Sequence, residues 1–329
     1  MLREFARRLY RWLEKTIAPQ PGRIQLAEHA SSPPPTDYRQ VQRVVLTDEV
    51  SRTLFADYAQ HRAGKRGNEE IGWVLLGVRL EDEVLALATL PAGTARSASS
   101  VHVRFDSDAQ GIASRVLRQK DKRLTMVGVV HTHPGSLRHP SEGDYHGDSL
   151  WVGKLRGGEG IFGIGTADGE PGANPRVAGQ PEPHMQAMGG LCFSWYALAK
   201  GDARYRRLPV HLTLGPDLAR PLHPVWEILE TYAVSLDRLY RQLTNVTLEG
   251  IDLPEGPAVA LNIKLAEPGD SLRVVLRRRA AQYVVGRDGD FSTVNPGEDN
   301  LERAVYLILA ELASAHESAR QERGLRIAE

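Results

Sequence analysis

Hydrophobic positions recur along this chain in two rhythms, and the change between them divides it into segments. Leu2, Phe5, Leu9, Trp12, Leu13 and Ile17 return at helical spacing, with Arg3, Arg7, Arg8, Arg11 and Lys15 between them. That pattern predicts a basic amphipathic helix over 1–17. Such a helix either lies on an anionic membrane surface or packs its apolar stripe on protein, its own body or a second copy. Residues 18–38 carry Pro19, Pro21, Pro33, Pro34 and Pro35 and predict an extended linker.

From residue 39 the rhythm shortens. Apolar, β-branched runs at 41–46, 70–77, 83–90, 101–105, 124–130 and 161–166 predict strands. Helices are predicted over 47–63, opened by Thr47-Asp48-Glu49, and over 107–119. Residues 193–199 and 204–212 read as a hairpin around Gly201-Asp202. Strands and helices interleaved in this way predict an α/β sandwich over 39–215. Within it, 167–190 is a long irregular stretch with Gly169, Pro171, Gly172, Pro175, Pro181 and Pro183, either a functional loop or a disordered one.

A separate α+β module is predicted over 221–329. It comprises a helix at 225–243, strands near 258–263, 272–276 and 282–285, a turn at Asp288-Gly289-Asp290, and an amphipathic helix over 301–317. Arg273, Arg277, Arg278, Arg279 and Arg287 cluster in it, either for an acidic partner or as a solvated face. With no catalytic constellation, the module reads as a recognition or oligomerisation domain.

Composition adds exclusions more than assignments. Lysine and arginine number 41 and aspartate and glutamate 41, so no global charge predicts nucleic-acid binding. The single cysteine, Cys192, rules out an internal disulfide and a cysteine-based zinc finger. No run has the length of a membrane span and no signal peptide is visible, so a cytoplasmic protein is expected.

The chemistry concentrates after the apolar run LTMVGVV at 124–130, where His131-Thr132-His133-Pro134 is followed by Ser141 and Asp144. On a continuing strand, His131 and His133 project from one face. Two imidazoles and one carboxylate, with a fourth position open to water, are the ligand set of a catalytic rather than a structural zinc site. Ser141-x-x-Asp144 is also a helix-capping pattern, and the two readings are compatible. His139 lies in a proline-flanked loop, solvent-exposed or facing a substrate. Asp148, one turn beyond Asp144, is either a surface carboxylate or a group that orients a ligand histidine.

His131-x-His133-Pro134 and Ser141-x-x-Asp144 at this spacing resemble the signature of the JAB/MPN (JAMM) metalloprotease family. That family also has an upstream glutamate in a pattern resembling E-x-x-G-x-L-x-G. Here Glu70-Ile71-Gly72-Trp73-Val74-Leu75-Leu76-Gly77 takes its place, with Gly72 one position early. Glu69 precedes Glu70, and the register ending at Gly77 favours Glu70.

The resemblance, spanning roughly half of the chain, implies a JAB/MPN-like (cytidine-deaminase-like) sandwich, with the α+β module as an addition to it. It implies Zn²⁺ held by His131, His133 and Asp144, with Glu70 as general base and Ser141 as oxyanion donor. It also makes the 167–190 loop a substrate-guiding flap. Bacterial members of this look are associated with ubiquitin-like conjugation, some in antiviral defence islands. The implied function is therefore a peptidase or isopeptidase acting after the C-terminus of a ubiquitin-like protein or its conjugates, beside E1-like and E2-like enzymes. The alternatives are a non-catalytic scaffold and a metallopeptidase that processes a sulfur-carrier-type protein.

Overall fold

The computed structural model describes residues 37–92, 108–169, 178–265, 270–287 and 289–327. The expected N-terminal helix at 1–17, the linker as far as 36 and the strand at 101–105 lie outside them. The chain forms two compact units that part between Trp226 and Glu227.

The first unit is built on a nine-stranded mixed sheet. Its strands are β1 Arg43–Thr47, β2 Gly72–Arg79, β3 Glu83–Pro91, β4 Thr125–Thr132, β5 Glu159–Thr166, β6 Met185–Met188, β7 Leu191–Ala199, β8 Arg206–Arg207 and β9 Val210–Thr213. They lie in the order β6-β7-β5-β4-β2-β3-β1-β9, with the short β8 on β7. Helix α1, Asp48–Ala63, is capped by Thr47, whose Oγ1 accepts from the Val50 N–H at 3.2 Å. Its apolar stripe, Val50, Leu54, Phe55 and Tyr58, is buried with Trp73, Trp195 and Phe193 of the sheet. The Phe55 and Phe193 rings meet edge to face with centroids 5.0 Å apart. Helix α2 is Asp108–Lys120, and α3, Glu142–Ser149, follows the loop after β4.

Two expectations about this unit change. Residues 204–212 do not complete a hairpin: β8 pairs with β7 only at Arg206 and Arg207, and β9 runs parallel to β1 instead. Pro209 has no N–H to continue the ladder, and its carbonyl accepts from the Val44 N–H at 2.9 Å. Part of the supposed irregular stretch is strand as well. Met185–Met188 pairs antiparallel with β7 through a turn at Gly189 and Gly190, both at positive φ. Residues 170–177 of that stretch lie outside the described residues.

The end of the sheet where β5 begins is closed by a buried ion cluster. Glu159 accepts from the Val41 N–H at 2.7 Å and from Arg206 Nη2 at 2.8 Å, and lies 3.6 Å from Arg79 Nη2. The Arg79 guanidinium also donates to the Arg39, Leu80 and Glu83 carbonyls. Every charge here has partners, which burial demands.

The second unit is a helix, a five-stranded antiparallel meander and a helix. These are α4 Trp226–Gln242, β10 Val246–Leu253, β11 Gly256–Lys264, β12 Ser271–Arg277, β13 Ala280–Arg287, β14 Asp290–Val294 and α5 Leu301–Ile327. The apolar pattern of the sequence does not predict strands β10 and β14. They are edge strands with mostly exposed or half-exposed residues, so they lack the apolar run that marks a buried strand. Arg273, Arg277 and Arg278 lie against Glu249, Glu255 and Glu227, so much of the basic cluster is neutralised within the unit. No helix among the described residues is long and apolar enough to cross a membrane.

The buried cluster supplies a test of what closes the sheet. Glu159→Ala leaves Arg79, with 2% of its side chain exposed, without its carboxylate. Urea unfolding should show a loss of about 3–5 kcal/mol. Glu83→Ala, which breaks the exposed pair with Arg43, should cost less than about 1 kcal/mol. Equal losses would contradict the assignment.

Candidate metal centre

Strand β4 delivers the two histidines because its apolar run is long enough to be buried to its end and its period is two. Val129 and Val130 are buried, and His131 and His133 follow, each 6% exposed. Both lie at the C-terminal end of the parallel β4–β5 pair, where His131 is in register with Ile164 and the His133 N–H donates to the Gly165 carbonyl at 2.8 Å. The C-terminal ends of parallel strands are where open sheets commonly bind ligands.

On the other side β4 runs antiparallel to β2, with Gly72 opposite His131. The Thr132 N–H donates to the Ile71 carbonyl at 2.9 Å, and the Ile71 N–H donates to Thr132 Oγ1 at 3.0 Å. This register continued by one residue brings Glu70 opposite His133. Glu70 is buried, 7% exposed. Its charge is among the influences that raise the His133 pKa. Glu69 instead pairs with Arg66 at 2.5 Å, half-exposed. Of the two adjacent glutamates, Glu70 is therefore the one at the site.

Helix α3 supplies the third group. Ser141 is its N-cap in a full capping box: Asp144 N–H donates to Ser141 Oγ at 3.2 Å, and Ser141 N–H donates to Asp144 Oδ2 at 2.6 Å. Ser141 Oγ also donates to Asp144 Oδ2 at 2.8 Å. Asp144 Oδ1 lies 3.2 Å from His131 Nε2 and its Oδ2 lies 3.4 Å from His133 Nε2. The two Nε2 atoms are 3.1 Å apart.

One ligand atom from each of the three residues lies within 4.8 Å of the others, and the two histidine nitrogens alone are spaced as neighbouring ligands of one metal ion would be. A tetrahedral ion bound at roughly 2.0–2.1 Å holds its ligand atoms about 3.3 Å apart. The tautomer also fits. His133 Nδ1 lies 2.8 Å from the Leu137 carbonyl, which can only accept, so Nδ1 carries the hydrogen and Nε2 of the neutral ring offers its lone pair.

The electrostatics describe a cavity prepared for positive charge. Burial alone would raise the Asp144 pKa, but the histidine and Ser141 hydrogen bonds outweigh it and hold the carboxyl well below its usual range. Burial likewise pulls His133 down, and the hydrogen bonds to Asp144 and the Leu137 carbonyl, with the nearby Glu70, push it above its usual value. A proton on this imidazole occupies the place of a cation.

Other predicted groups lie around this cluster. Asp148 accepts from Tyr205 OH at 2.8 Å and from Trp151 Nε1 at 3.1 Å. These two partners fix its orientation, and it lies close enough to His131 and Asp144 to interact with their charges. His139 and His146 are exposed and line a groove of about 480 Å³ with Ser141, Tyr145, Tyr196 and Tyr205. That groove is not legible in the sequence, because its tyrosines come from α3, β7 and the turn before β8. The Leu137 carbonyl could not be found either, since every residue has one.

Comparison with known proteins bears on the same segment. The model of a family described as prokaryotic homologs of the JAB domain matches residues 51–173. That span contains Glu70, His131, His133, Ser141 and Asp144. No curated protein matches the chain. A protein of Desulfitobacterium hafniense, known from its solution structure, is similar over 53% of this chain and 95% of its own, with 18% identity and a TM-score of 0.34. A superposition that loose adds nothing to the geometry above.

Asp148 gives a pH test of the region. Burial raises its carboxyl from 3.8 to about 6, against the pull of the Tyr205 hydrogen bond. A raised folded-state pKa favours the protonated folded form. Its stabilising effect is full below the unfolded value and is lost as pH climbs through the folded one. In metal-free protein Asp148→Asn should therefore gain stability relative to wild type between about pH 4 and pH 6, by on the order of 2–3 kcal/mol. The difference should then stay level at higher pH. A difference independent of pH, measured by urea unfolding, would overturn the assignment.

Proposed function

Residues 51–173 match the model of the prokaryotic homologs of the JAB domain, and from that match and the cluster described above we propose that this chain is a zinc-dependent peptidase or isopeptidase of the JAB/MPN family. Its substrate is the bond after the C-terminus of a ubiquitin-like protein, in a conjugate or a precursor. The observation that carries this reading is the cluster of His131, His133 and Asp144, one donor atom of each within 4.8 Å of the others, beside the buried Glu70. Burial of both histidines favours a thin, extended segment as substrate, since a folded surface would not reach them. The C-terminal tail of a ubiquitin-like protein is such a segment, and its E1-like and E2-like enzymes are the expected companions.

His131 and His133 would hold the ion through Nε2, and Asp144 through its carboxylate. When bound, zinc supplies Lewis acidity, polarising a carbonyl and making water more acidic. Glu70 takes a proton from the attacking water and returns it to the leaving amine. Ser141 has its hydroxyl hydrogen on Asp144 Oδ2. Rotation of the hydroxyl about its Cβ–Oγ bond would redirect that hydrogen to the developing oxyanion while Oγ keeps its place in the helix cap. The Ser141 backbone N–H meanwhile stays on Asp144 and keeps that carboxylate in place.

The test is incubation with a ubiquitin-like fusion protein, with and without a chelator, beside Glu70→Gln. Chelation should abolish cleavage and added zinc restore it. Glu70→Gln should bind zinc normally and lose on the order of 10²–10⁴ in rate. Ser141→Ala should lose about 10²–10³. Cleavage that survives chelation or Glu70→Gln would overturn the mechanism. Stoichiometric zinc with no fusion cut would favour a scaffold.

A further inference from the structure

We propose that Arg138, Asp168 and Tyr196 form a clamp that positions the loop between β4 and α3, and so sets the geometry in which the metal ion is held. The inference rests on the zinc reading above. The ligand set is split, with His131 and His133 at the end of β4 and Asp144 on α3. The connection between them is a loop of largely exposed residues with Pro134, Gly135 and Pro140. Left untied, such a segment would sample many conformations, and fixing it would cost conformational entropy at the moment of binding.

The loop is tied at two consecutive residues. The Leu137 carbonyl lies 2.8 Å from His133 Nδ1. At the next residue, Arg138 Nε donates to both Asp168 carboxylate oxygens at 3.2 and 3.1 Å, and Nη2 donates to the Asp168 carbonyl at 2.9 Å. The Arg138 carbonyl in turn accepts from Tyr196 OH at 2.8 Å.

Asp168 is itself fixed, accepting from Thr166 Oγ1 at 2.6 Å. Thr166 ends β5, the strand paired in parallel with β4. The loop is thus referred back to the strand beside the histidine ligands. Tyr196 holds it from β7, the other neighbour of β5.

The side chains of Arg138 and Asp168 are 40% and 32% exposed, and an ion pair that wet contributes little to folding stability. A pair with little value for folding, one residue from the carbonyl that orients a ligand histidine, has a geometric role. Groups that orient metal ligands typically change metal affinity by 10–100-fold. The clamp acts one step further out, through the Leu137 carbonyl, so a loss near the lower end is expected.

The experiment is a zinc titration of the full chain against a chromophoric chelator. Wild type is compared with Asp168→Asn, Asp168→Glu and Tyr196→Phe, each also melted in the metal-free state. Asp168→Asn and Tyr196→Phe should each weaken zinc on the order of tenfold with metal-free melting unchanged. Asp168→Glu, which keeps the carboxylate, should recover part of the loss. The His133 Nδ1 proton should exchange faster in both weakened variants, by imidazole NMR. If wild type binds zinc stoichiometrically and the variants bind it equally tightly, the clamp is refuted and the zinc site stands. If affinity falls only in proportion to metal-free stability, the residues are structural and the positioning role fails. If wild type does not bind zinc, the reading of the site itself falls.

Discussion

The antiparallel register between β2 and β4 is the constraint on which the site depends. Its last rungs are the Thr132 N–H to Ile71 carbonyl bond and the Ile71 N–H to Thr132 Oγ1 bond, at 2.9 and 3.0 Å. A slip of one residue would turn every side chain of β2 to the other face and remove Glu70 from His133. Burial of both strands holds this register, and on the other side of β4 the pairing with β5 depends on a close approach at Gly128, where a Cβ would lie 1.8 Å from the Ile161 carbonyl oxygen. Any larger residue there would force β4 away from β5, and the histidines with it.

The two ends of the central strands solve the burial of charge in opposite ways. Where β5 begins, the Glu159 carboxylate is matched by Arg79 and Arg206 and by a backbone N–H. At the other end Asp144 is held ionised against two imidazoles, with Glu70 and Asp148 nearby, and the surplus is negative. A cation answers that imbalance. The same sheet is thus stabilised at one end and left electrostatically incomplete at the other, which is the usual cost of a functional site.

Much of the site was legible because its parts are local. His131 and His133 sit two apart on a strand marked by LTMVGVV, and Ser141 and Asp144 sit three apart at a helix start. Period and capping geometry relate each pair without knowledge of the fold. Glu70 was legible only through the family pattern, and choosing it over Glu69 needed the β-ladder. Strand β9 was misread because its partner is β1, far away in sequence, while the nearby β7 offered a plausible hairpin. Strands β10 and β14 were missed because edge strands carry little of the apolar signal that buried ones do.

The amino-acid sequence by itself determined the candidate donor residues, their pairwise spacing and the alternation of strand and helix around them, since these follow from backbone periods that act over a few residues. Tertiary structure alone decided that the two pairs close into one cluster, that Glu70 rather than Glu69 is buried close enough to influence His133, and that Asp148 is held by Tyr205 and Trp151. It likewise decided that Arg138 reaches Asp168 across the loop. Each of those relations joins residues from different strands and loops, and only sheet register and packing bring such residues within hydrogen-bonding range.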